Sequence, residues 1–492
     1  MKAKWAAIIT GIILITSMVH PATAEGTGNF SEESIYDLLV DRYFNQDIQN
    51  DYEADARDIS AFSGGDFSGV MQEMNRIQNM GFTILSIGPV FASSTYDGKT
   101  VLDYRQFERH FGTEEEFVQL VEAAHDRDMK LMIDLPTQSL DENHVWFSEN
   151  PEWFEENEDG TVALETSNPE VRDALIQEFT AFVGNFDIDA LRLQDAASLD
   201  ADFIREFSQE IKTVRDIYII GDEEMEPTEG LDAVVMPGAE DILRSSYRNF
   251  DQESERLPAL LEESAGQIIQ VDSLKGPRFT SDVVEERGFP PTRWKLLLTQ
   301  MFTMPGVPNI QYGSEIAMSG DALPEAHQIL DIGVEAELND HIESLNTLRN
   351  SSSALRSGKV EILLEEDGWL VYERSNEEET WIIVINNSSS TKNFIVSEER
   401  IGSDMQMRGL FENDMVRQAD NGTYRITMNR ETSETFHVTE ERGFNMAYIA
   451  TLAAMYLIFL AFVWLVWRKG KQRKADEASK AKLKLKNGNE TV

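Results

Sequence analysis

Three of the short apolar runs in this chain lead into a polar or charged side chain that could take part in chemistry. These residues are Gln194, Asp222 and Lys275. A carboxylic acid such as Asp222 can protonate a leaving group that lies within hydrogen-bond reach. The amide of Gln194 is a poor nucleophile, because deprotonation cannot activate it near neutral pH. The three residues therefore offer one acid but no carboxylate nucleophile.

Other carboxylates stand directly beside two of these positions. Asp195 follows Gln194, but side chains alternate between the two faces of a strand, so we expect Asp195 to point out of the barrel interior. Glu223 and Glu224 follow Asp222, and Glu224 would share its face if the strand continued. Glu224 is therefore a candidate for a displaced catalytic carboxylate.

The elements that must position these side chains are short apolar runs that alternate with helix-like segments. Several runs are apolar throughout, as strands covered on both faces are. Eight strands separated by helices, such as Phe117–Asp126 and Pro169–Val183, predict an α/β fold, the (β/α)₈ barrel. The predicted strands are Ile35–Asp41, Thr83–Ile87, Lys130–Leu135, Ala190–Gln194, Ile217–Asp222, Ala233–Met236, Ile268–Asp272 and Asn309–Tyr312.

The pattern changes at about Val360. Segments such as Trp369–Arg374, Thr380–Asn387 and Tyr424–Met428 are short, alternating and bounded by turns, which predicts an antiparallel β domain. The sequence therefore divides into a barrel over residues 25–345, with a short inserted subdomain at about 140–167, and a C-terminal β-sandwich over residues 346–438.

Both ends of the chain carry apolar segments. Residues 1–24 combine a basic start, an apolar stretch too short to span a bilayer and a small-residue site, which is typical of a secretory signal. Residues 444–467 are uncharged and long enough for a single transmembrane helix. A basic tail, residues 468–492, follows directly, so the positive-inside rule predicts a cytoplasmic C-terminus and an N-terminal ectodomain outside the cell membrane.

The composition limits the partners and the compartment. The 492-residue chain has a net charge of −45 and no cysteine. Because the tail is basic, the exported part is more acidic still, and such a surface excludes nucleic acid as a partner. An exported protein without disulfides is typical of a bacterial cell surface.

Several stretches together resemble the α-amylase family, glycoside hydrolase family 13, from about residue 33 to 438. Their order and spacing are specific, although no single motif is. They are Ile35-Tyr36 through Asp41-Arg42-Tyr43, Gly64-Gly65-Asp66-Phe67, Asp103-Tyr104 with Phe111-Gly112-Thr113, Asn168-Pro169-Glu170-Val171-Arg172, Met304-Pro305-Gly306-Val307-Pro308 through Tyr312-Gly313-Ser314-Glu315, and Leu348-Arg349 with Ala354-Leu355-Arg356. The resemblance implies a retaining mechanism, which needs a nucleophilic carboxylate, a carboxylic acid and a third carboxylate at the ends of barrel strands.

The resemblance assigns the three opening residues to that carboxylate set. Gln194 stands at the nucleophile, two positions after a retained Arg192, and Asp222 stands at the acid, one methylene shorter than glutamate. Lys275 stands at the third carboxylate, where a cation would oppose the positive charge that develops on the sugar. Its simpler role is an ion pair with Asp222. The neighbouring sugar contacts of the family are also replaced, by Lys99, Thr100, Gln138, Ser139, Ser273 and Leu274.

The resemblance also implies one structural calcium site, which occurs in some bacterial relatives. All the residues that match it except the glycine carry side-chain oxygens. They are Asn45, Asp47, Asn50, Asp51, Gly64 and Asp66. Calcium takes oxygen ligands of this kind from loops. An ordinary acidic turn is the alternative.

Three functions are consistent with these observations. The first is an inactive, membrane-anchored amylase-like protein of carbohydrate metabolism that binds α-glucan or maltooligosaccharide, or assembles with another membrane or cell-surface protein. The second is an active α-glucan hydrolase or transferase that uses displaced carboxylates. The third is a purely structural subunit of a membrane complex. Exposed aromatic residues in the insertion would favour glucan binding, whereas packing is the alternative; the candidates are Trp146, Phe147, Trp153 and Phe154.

Overall fold

A computed structural model describes residues 28–334, 338–441 and 446–487. The predicted signal segment, residues 1–24, lies outside the described residues.

Eight parallel strands form a closed barrel, as the alternation of apolar runs and helices predicted. The first strand pairs with both the second and the last, which closes the ring. The barrel strands, called first to eighth below, are Ile35–Asp37, Ile84–Ser86, Lys130–Leu135, Ala190–Leu193, Tyr218–Glu224, Ala233–Val235, Ile268–Ile269 and Val307–Gln311. Apolar residues from these strands fill the interior, so it is a packed core rather than a pore.

Most strand ends differ from the prediction by one to four residues, as at the seventh strand, which ends at Ile269 rather than Asp272. The first strand ends at Asp37 rather than Asp41, and Val40–Tyr43 form a helical turn. This turn lets the Asp41 carboxylate accept the backbone N–H groups of Ser63 and Gly64, a long-range contact that local pattern does not encode. The fifth strand continues past Asp222 to Glu224.

Helices surround the barrel, and capping residues fix where two of them begin. Thr113 and Glu116 form a capping box, which begins a helix three residues before the predicted Phe117. Pro169 occupies the first position of its helix, as predicted, and Asn168 caps it. The α-helices before the C-terminal domain are Val40–Tyr43, Phe67–Asn79, Glu114–His125, Val145–Glu149, Pro169–Asn185, Ala201–Val214, Ala239–Tyr247, Leu257–Glu263, Phe279–Glu285, Pro290–Thr303, Asn339–Ser351 and Ser353–Ser357.

Two hairpins and five short 3₁₀ helices lie in the described loops of this part of the chain. One hairpin pairs Phe91–Ser93 with Val101–Phe107, and the other pairs Phe154–Glu156 with Val162–Leu164 inside the insertion. The 3₁₀ helices are Phe30–Glu32, Ile48–Asn50, Pro151–Trp153, Ala196–Ser198 and Ser314–Ile316.

The C-terminal domain is an antiparallel β-sandwich, as predicted. Its larger sheet contains, in spatial order, Lys359–Glu366, Trp369–Ser375, Thr380–Asn386, Thr432–Glu440, Met405–Gly409 and Met415–Arg417, and its smaller sheet pairs Lys392–Ser397 with Thr423–Met428. A helical turn, Glu398–Ile401, connects the two sheets. Val396 and Ile426 of the smaller sheet pack against Val371 and Val384 of the larger one.

The barrel and the sandwich share one hydrophobic core. Leu370, Tyr372 and Ile383, on the other face of the larger sheet, belong to the same cluster as the barrel helices. The Tyr372 hydroxyl lies 2.5 Å from Thr303 Oγ1, and Arg374 donates to the Thr303 carbonyl. The sandwich is therefore a continuation of the barrel's packing rather than a tethered module.

Among the described residues, one helix is long and apolar enough to cross a membrane. It is Met446–Asn487, and the apolar window of its candidate span, Tyr448–Lys482, is not buried by other described residues. Large apolar side chains such as Ile458, Phe462 and Trp467 are more than half exposed along it. A helix that is apolar on all sides and uncovered by protein has the composition of a membrane span.

Candidate functional site

A layer of polar side chains covers the apolar interior where the barrel strands end. Alternate residues of a strand face the same side, so a polar residue two positions after an interior apolar one lies above it. The pairs are Ile35 and Asp37, Ile84 and Ser86, Met132 and Asp134, Ala190 and Arg192, Ile220 and Asp222, and Ile268 and Gln270. Strand parity therefore positions this polar layer.

The Arg192 guanidinium joins two buried carboxylates. It donates to Asp134 at 2.7 and 2.8 Å and to Asp37 at 2.8 and 3.0 Å. Burial alone would lower the pKa of Arg192, but the two carboxylates outweigh this effect and raise the pKa well above its ordinary value. Both carboxylates are thus bound to a permanent cation. The sequence had indicated Arg192 but neither Asp37 nor Asp134, although each lies two residues beyond an interior apolar residue.

Gln194 is held as a hydrogen-bond donor. Its Nε2 donates to Asp134 Oδ2 over 2.8 Å, and the side chain is buried. A carboxylate in its place would face the Asp134 carboxylate at hydrogen-bond distance, which repels. The amide therefore suits this layer, because it donates a hydrogen bond to the Asp134 carboxylate that already pairs with Arg192.

Lys275 gathers three carboxylates at the mouth of the barrel. Its Nζ lies 2.8 Å from Asp222 Oδ2, 2.9 Å from Asp195 Oδ1 and 3.3 Å from Glu223 Oε1. The ion pair with Asp222 that the sequence suggested is present. The ammonium has three hydrogens, so these contacts occupy its full donor capacity.

Burial and charge act in opposite directions on this cluster. Burial raises the pKa of the Asp222 carboxyl to about 6, and the Lys275 ammonium keeps it from rising further. Burial alone would lower the pKa of Lys275, but Asp222 and Asp195 outweigh it and raise the pKa above its ordinary value. The cluster is therefore one ammonium held against three carboxylates, of which Asp222 is mostly ionised at neutral pH.

The expectation that Asp195 would point out of the barrel was wrong. Strand alternation does not reach this residue, because the fourth strand ends at Leu193. Asp195 adopts a left-handed backbone with φ of 52°, which turns its carboxylate towards Lys275. A single turn residue thus brings a displaced carboxylate to the site.

The expectation that Glu224 would share the inward face of Asp222 was also wrong. The register with the sixth strand shifts between Ile220 and Glu224, and this irregularity breaks the alternation. Glu224 accepts the backbone N–H of Gly238 at 3.0 Å, whereas Glu223 contacts Lys275. The displaced carboxylates are therefore Asp195 and Glu223.

Very little space remains between these groups. The cavity bounded by Arg192, Gln194, Asp222 and Lys275 has a volume of about 20 Å³, which is room for about one water molecule. Lys99, Ser273 and Leu274, three of the replacements at family sugar contacts, also line it. A sugar ring does not fit unless these side chains move.

The other replaced contacts lie outside this cavity. Gln138 donates weakly to the Leu164 carbonyl at 3.4 Å, and the Thr100 carbonyl accepts from Ser93 inside a hairpin. Tyr96, three residues before Lys99, has the Arg42 guanidinium 3.8 Å from its ring centroid. One face of the Tyr96 ring is therefore covered. No sequence signal marked Arg42 for this contact.

The aromatic residues of the insertion pack inward rather than outward. Trp146 is buried and meets Trp153 edge to face at 5.9 Å, and Phe147 meets Phe154 at 5.3 Å. Trp153 also donates its indole N–H to Glu170 at 3.2 Å. These four residues therefore pack within the insertion and do not form an exposed platform for glucan.

The loop proposed for calcium contains both hydrogen-bonded side chains and a buried oxygen without a hydrogen-bond partner. Asn45 Nδ2 donates to Asp51 Oδ1 at 2.7 Å, and a Cβ on Gly64 would collide with both atoms, so only glycine fits there. Asn50 Oδ1 is buried without a hydrogen-bond partner. An orphaned oxygen beside a carboxylate fits the donor set that calcium prefers.

The remaining members of that set serve the backbone. Asp66 accepts the N–H groups of Gln46, Asp47 and Gly69, the last of which caps the helix Phe67–Asn79. The Asp47 carboxylate accepts the N–H of Gln49. In the described parts of the chain no group of three or more Asp, Glu, His or Cys side chains forms a metal-binding arrangement. Calcium would therefore depend on Asn45, Asn50 and Asp51.

Comparisons with known proteins agree with this architecture. Residues 37–160 match the family profile "Alpha amylase, catalytic domain", and residues 358–436 match "Alpha-amylase C-terminal domain". The first match ends before Gln194, Asp222 and Lys275. The crystal structure of an Anoxybacillus α-amylase is 31% identical with a TM-score of 0.81 and aligns over 85% of this chain and 100% of its own.

Two further relatives have similar sequence identities to this chain. The α-amylase of Geobacillus thermoleovorans, solved in complex with acarbose, is 29% identical with a TM-score of 0.79 over 84% of this chain and 100% of its own. A cyclomaltodextrinase from Geobacillus thermopakistaniensis (strain MAS1) is 30% identical over 372 residues, which is 67% of this chain. This chain spans 63% of that cyclomaltodextrinase.

Proposed function

The chain belongs to the α-amylase family, and from that premise we propose that it binds α-glucan at the outer face of a cell membrane without hydrolysing it. The observation that carries the proposal is the position of Lys275, whose ammonium lies 2.8 Å from the only carboxylate retained among the three family positions. The relatives' names and the acarbose complex support the ligand class. The apolar C-terminal helix supports the location.

The physical case against hydrolysis rests on charge. A retaining reaction needs a carboxylate that attacks the anomeric carbon and an acid that protonates the leaving oxygen. Gln194 cannot attack, and the Asp222 carboxyl is held in an ion pair with the Lys275 ammonium at 2.8 Å. An ammonium at this point also destabilises the positive charge of the transition state.

The second candidate is an active α-glucan hydrolase or transferase. The comparisons favour it over an inactive protein, since the relatives are named as hydrolases. Within this chain, Asp195 and Glu223 supply two carboxylates close to Asp222. A movement of Lys275 would free all three, so turnover must be measured rather than inferred from the fold.

A direct test uses the full-length chain in lipid nanodiscs, because maltoside detergents would compete for a glucan site. Maltoheptaose is titrated by calorimetry, and the release of reducing ends is followed over hours. We expect binding without turnover. Turnover that disappears in Asp222→Ala or Glu223→Ala but persists in the exposed control Glu152→Ala would establish the second candidate. If neither binding nor turnover is detected, the remaining candidate is a structural subunit of a membrane complex.

A further inference from the structure

The C-terminal helix continues well past its apolar segment. It is 42 residues long, Met446–Asn487, which corresponds to about 63 Å at about 1.5 Å per residue. The hydrocarbon core of a bilayer is about 30 Å thick, and each headgroup layer adds about 5–8 Å. When the apolar segment spans a bilayer, the part of the helix after Trp467 therefore crosses the headgroups and enters the water beyond them.

Basic side chains are concentrated where the helix leaves the hydrocarbon. Five of the seven residues from 468 to 474 are Lys or Arg, and none is acidic. These five exposed residues form what we call the basic collar: Arg468, Lys469, Lys471, Arg473 and Lys474. No ion pair joins any of them to a carboxylate among the described residues. Along the helix axis the collar occupies about 9 Å, which is close to the thickness of one headgroup layer.

The collar surrounds the helix rather than forming one face of it. Successive residues of an α-helix are rotated by about 100°, so the other four positions lie at about 100°, 300°, 140° and 240° from Arg468, and no gap exceeds about 100°. A partner macromolecule with a groove covers mainly one side of a helix, whereas a lipid leaflet surrounds it. The distribution of charge therefore favours lipid headgroups as the partner.

The side chains of the collar lean towards the bilayer. The Cα–Cβ bonds of a helix tilt towards its N-terminus, and here that direction leads back into the apolar segment. The Arg468 guanidinium carbon lies 5.2 Å from the ring centroid of Trp464, and Lys471 Nζ lies 4.0 Å from that of Trp467. Tryptophan is enriched at the interface of a membrane with water. These contacts therefore hold two cations at the level of the headgroups.

Two further lysines lie beyond the reach of the headgroups. Lys480 and Lys482 are exposed too, but Asp476 and Glu477 separate them from the collar. Lys480 lies about 18 Å beyond Arg468 along a straight helix. In physiological salt, electrostatic attraction between exposed charges falls off over about 8 Å. These two lysines therefore match the collar in residue type and exposure but not in distance from the bilayer.

We propose that the basic collar binds the headgroups of anionic phospholipids in the cytoplasmic leaflet and gathers these lipids around the anchor. The inference rests on the proposed membrane anchor and is independent of what the barrel binds. Clusters of about four to eight Lys or Arg directly after a span are suited to such lipids, and each residue near the surface strengthens the attraction about five-fold.

A role in membrane insertion alone is the main alternative. Basic residues after a span orient a protein while it is inserted, and their number then matters more than their arrangement around the helix. That role ends once the chain is in the membrane. A lipid preference of the purified, reconstituted protein therefore reports binding and not orientation.

The test uses tryptophan fluorescence of the full-length chain in lipid nanodiscs at physiological salt. Brominated acyl chains quench tryptophans that contact them, and Trp464 and Trp467 are the reporters at this end of the helix. Quenching by brominated phosphatidylglycerol, an anionic lipid, is compared with quenching by brominated phosphatidylcholine in mixed bilayers. The ratio of the two apparent binding constants measures the preference.

Two double variants separate the collar from the distal lysines. Lys469→Gln with Lys474→Gln removes two collar charges that do not contact the reporters. Lys480→Gln with Lys482→Gln removes the same charge further along the helix and is the matched control. We expect the preference for phosphatidylglycerol to fall about five-fold or more in the collar variant and to stay unchanged in the control.

The outcomes also separate this inference from the anchor. Equal apparent binding of the two lipids by the wild type would overturn the collar while the anchor stands. A preference that the collar variant leaves unchanged, or that both variants lower equally, would overturn it as well. A short DNA duplex that abolishes the preference would favour nucleic acid as the partner and overturn the lipid assignment. No quenching by either lipid would overturn both the anchor and the collar.

Discussion

Lys275 determines the charge state of its surroundings because three carboxylates share its ammonium. A repulsive group of acids thereby becomes a network in which each carboxylate has a positive neighbour. Such a network is stable only while the lysine is present, since a buried charge without a partner costs several kcal/mol. The residue that opposes catalysis is thus the residue that holds the mouth of the barrel together.

The substitution Lys275→Met tests this role through its pH dependence. The pKa of Asp222 is about 6 in the folded protein and about 3.9 in an unfolded chain. The folded state therefore binds this proton more tightly, and the free energy of unfolding falls as pH rises from about 4 to 6. Without the ammonium the pKa rises further, so the loss extends to higher pH.

We expect Lys275→Met to lower the free energy of unfolding by about 1–3 kcal/mol at pH 7.5, a reduced value because the lysine is partly exposed. The deficit relative to wild type shrinks at pH 5, where Asp222 is protonated in both proteins. Urea unfolding at the two pH values measures it, with the exposed Lys359→Met as control. A deficit independent of pH would contradict the proposed ion pair.

At the scale of elements, the loop that follows Val40–Tyr43 combines two separable functions. Asp66 is a helix cap and a backbone acceptor, whereas Asn50 and Asp51 have oxygens that suit a cation. The first function is present without any metal. The second, binding of a structural calcium ion, is a proposal. Substitutions in the two sets of residues can distinguish it from the helix-capping function.

Calcium should raise the free energy of unfolding of wild type by about 2.7 kcal/mol when its concentration is 100-fold above Kd. We expect Asp51→Ala to abolish this increase and to behave like wild type in EDTA. Asp66→Ala should instead lose about 1–2 kcal/mol in EDTA, because a helix cap is removed. Thermal melts with and without calcium provide the measurement, and an identical calcium response in wild type and Asp51→Ala would exclude the site.

At the scale of the whole molecule, a barrel and a sandwich share a core and a separate apolar helix follows them. The shared core includes Leu370 and Tyr372 from the sandwich. The C-terminal helix has no such packing, so its apolar surface needs an apolar medium. The basic residues that follow, Arg468 to Lys474, favour a cytoplasmic tail and an external barrel.

Cell fractionation of a bacterial host tests the proposed anchor and its orientation. We expect the full-length chain to sediment with membranes through a carbonate wash, and a chain ending at residue 441 to appear in the soluble exported fraction. Protease added to intact spheroplasts should remove the barrel and leave a tag at residue 492 protected. A soluble full-length chain, or a tag that is digested, would contradict the anchor or its direction.

Much of this fold could be predicted from the sequence because its determinants are local. All eight barrel strands were predicted, since fully apolar runs of a few residues are typical of strands covered on both faces. The ends were less accurate. The first strand stops at Asp37 because Asp41 is needed for a contact with Gly64, more than twenty residues away.

The candidate site was predicted in part for the same reason. The residue types at positions 194 and 275 already remove two of the three family carboxylates, and the Lys275–Asp222 pair followed from opposite charges after the fifth and seventh strands, which open at the same mouth of the barrel. The contributions of Asp195 and Glu223 depend on a left-handed residue and a register shift. Neither feature leaves a periodic trace in the sequence.

By itself the sequence determined the barrel, the sandwich, the apolar helix and the absence of a nucleophile at Gln194, because these depend on residue identity and short-range period. Only the tertiary structure decided that Lys275 meets three carboxylates and that Arg42 covers one face of Tyr96. Those contacts join residues that are far apart in the chain. Their geometry is fixed by where strands end and loops turn, which only the packed molecule determines.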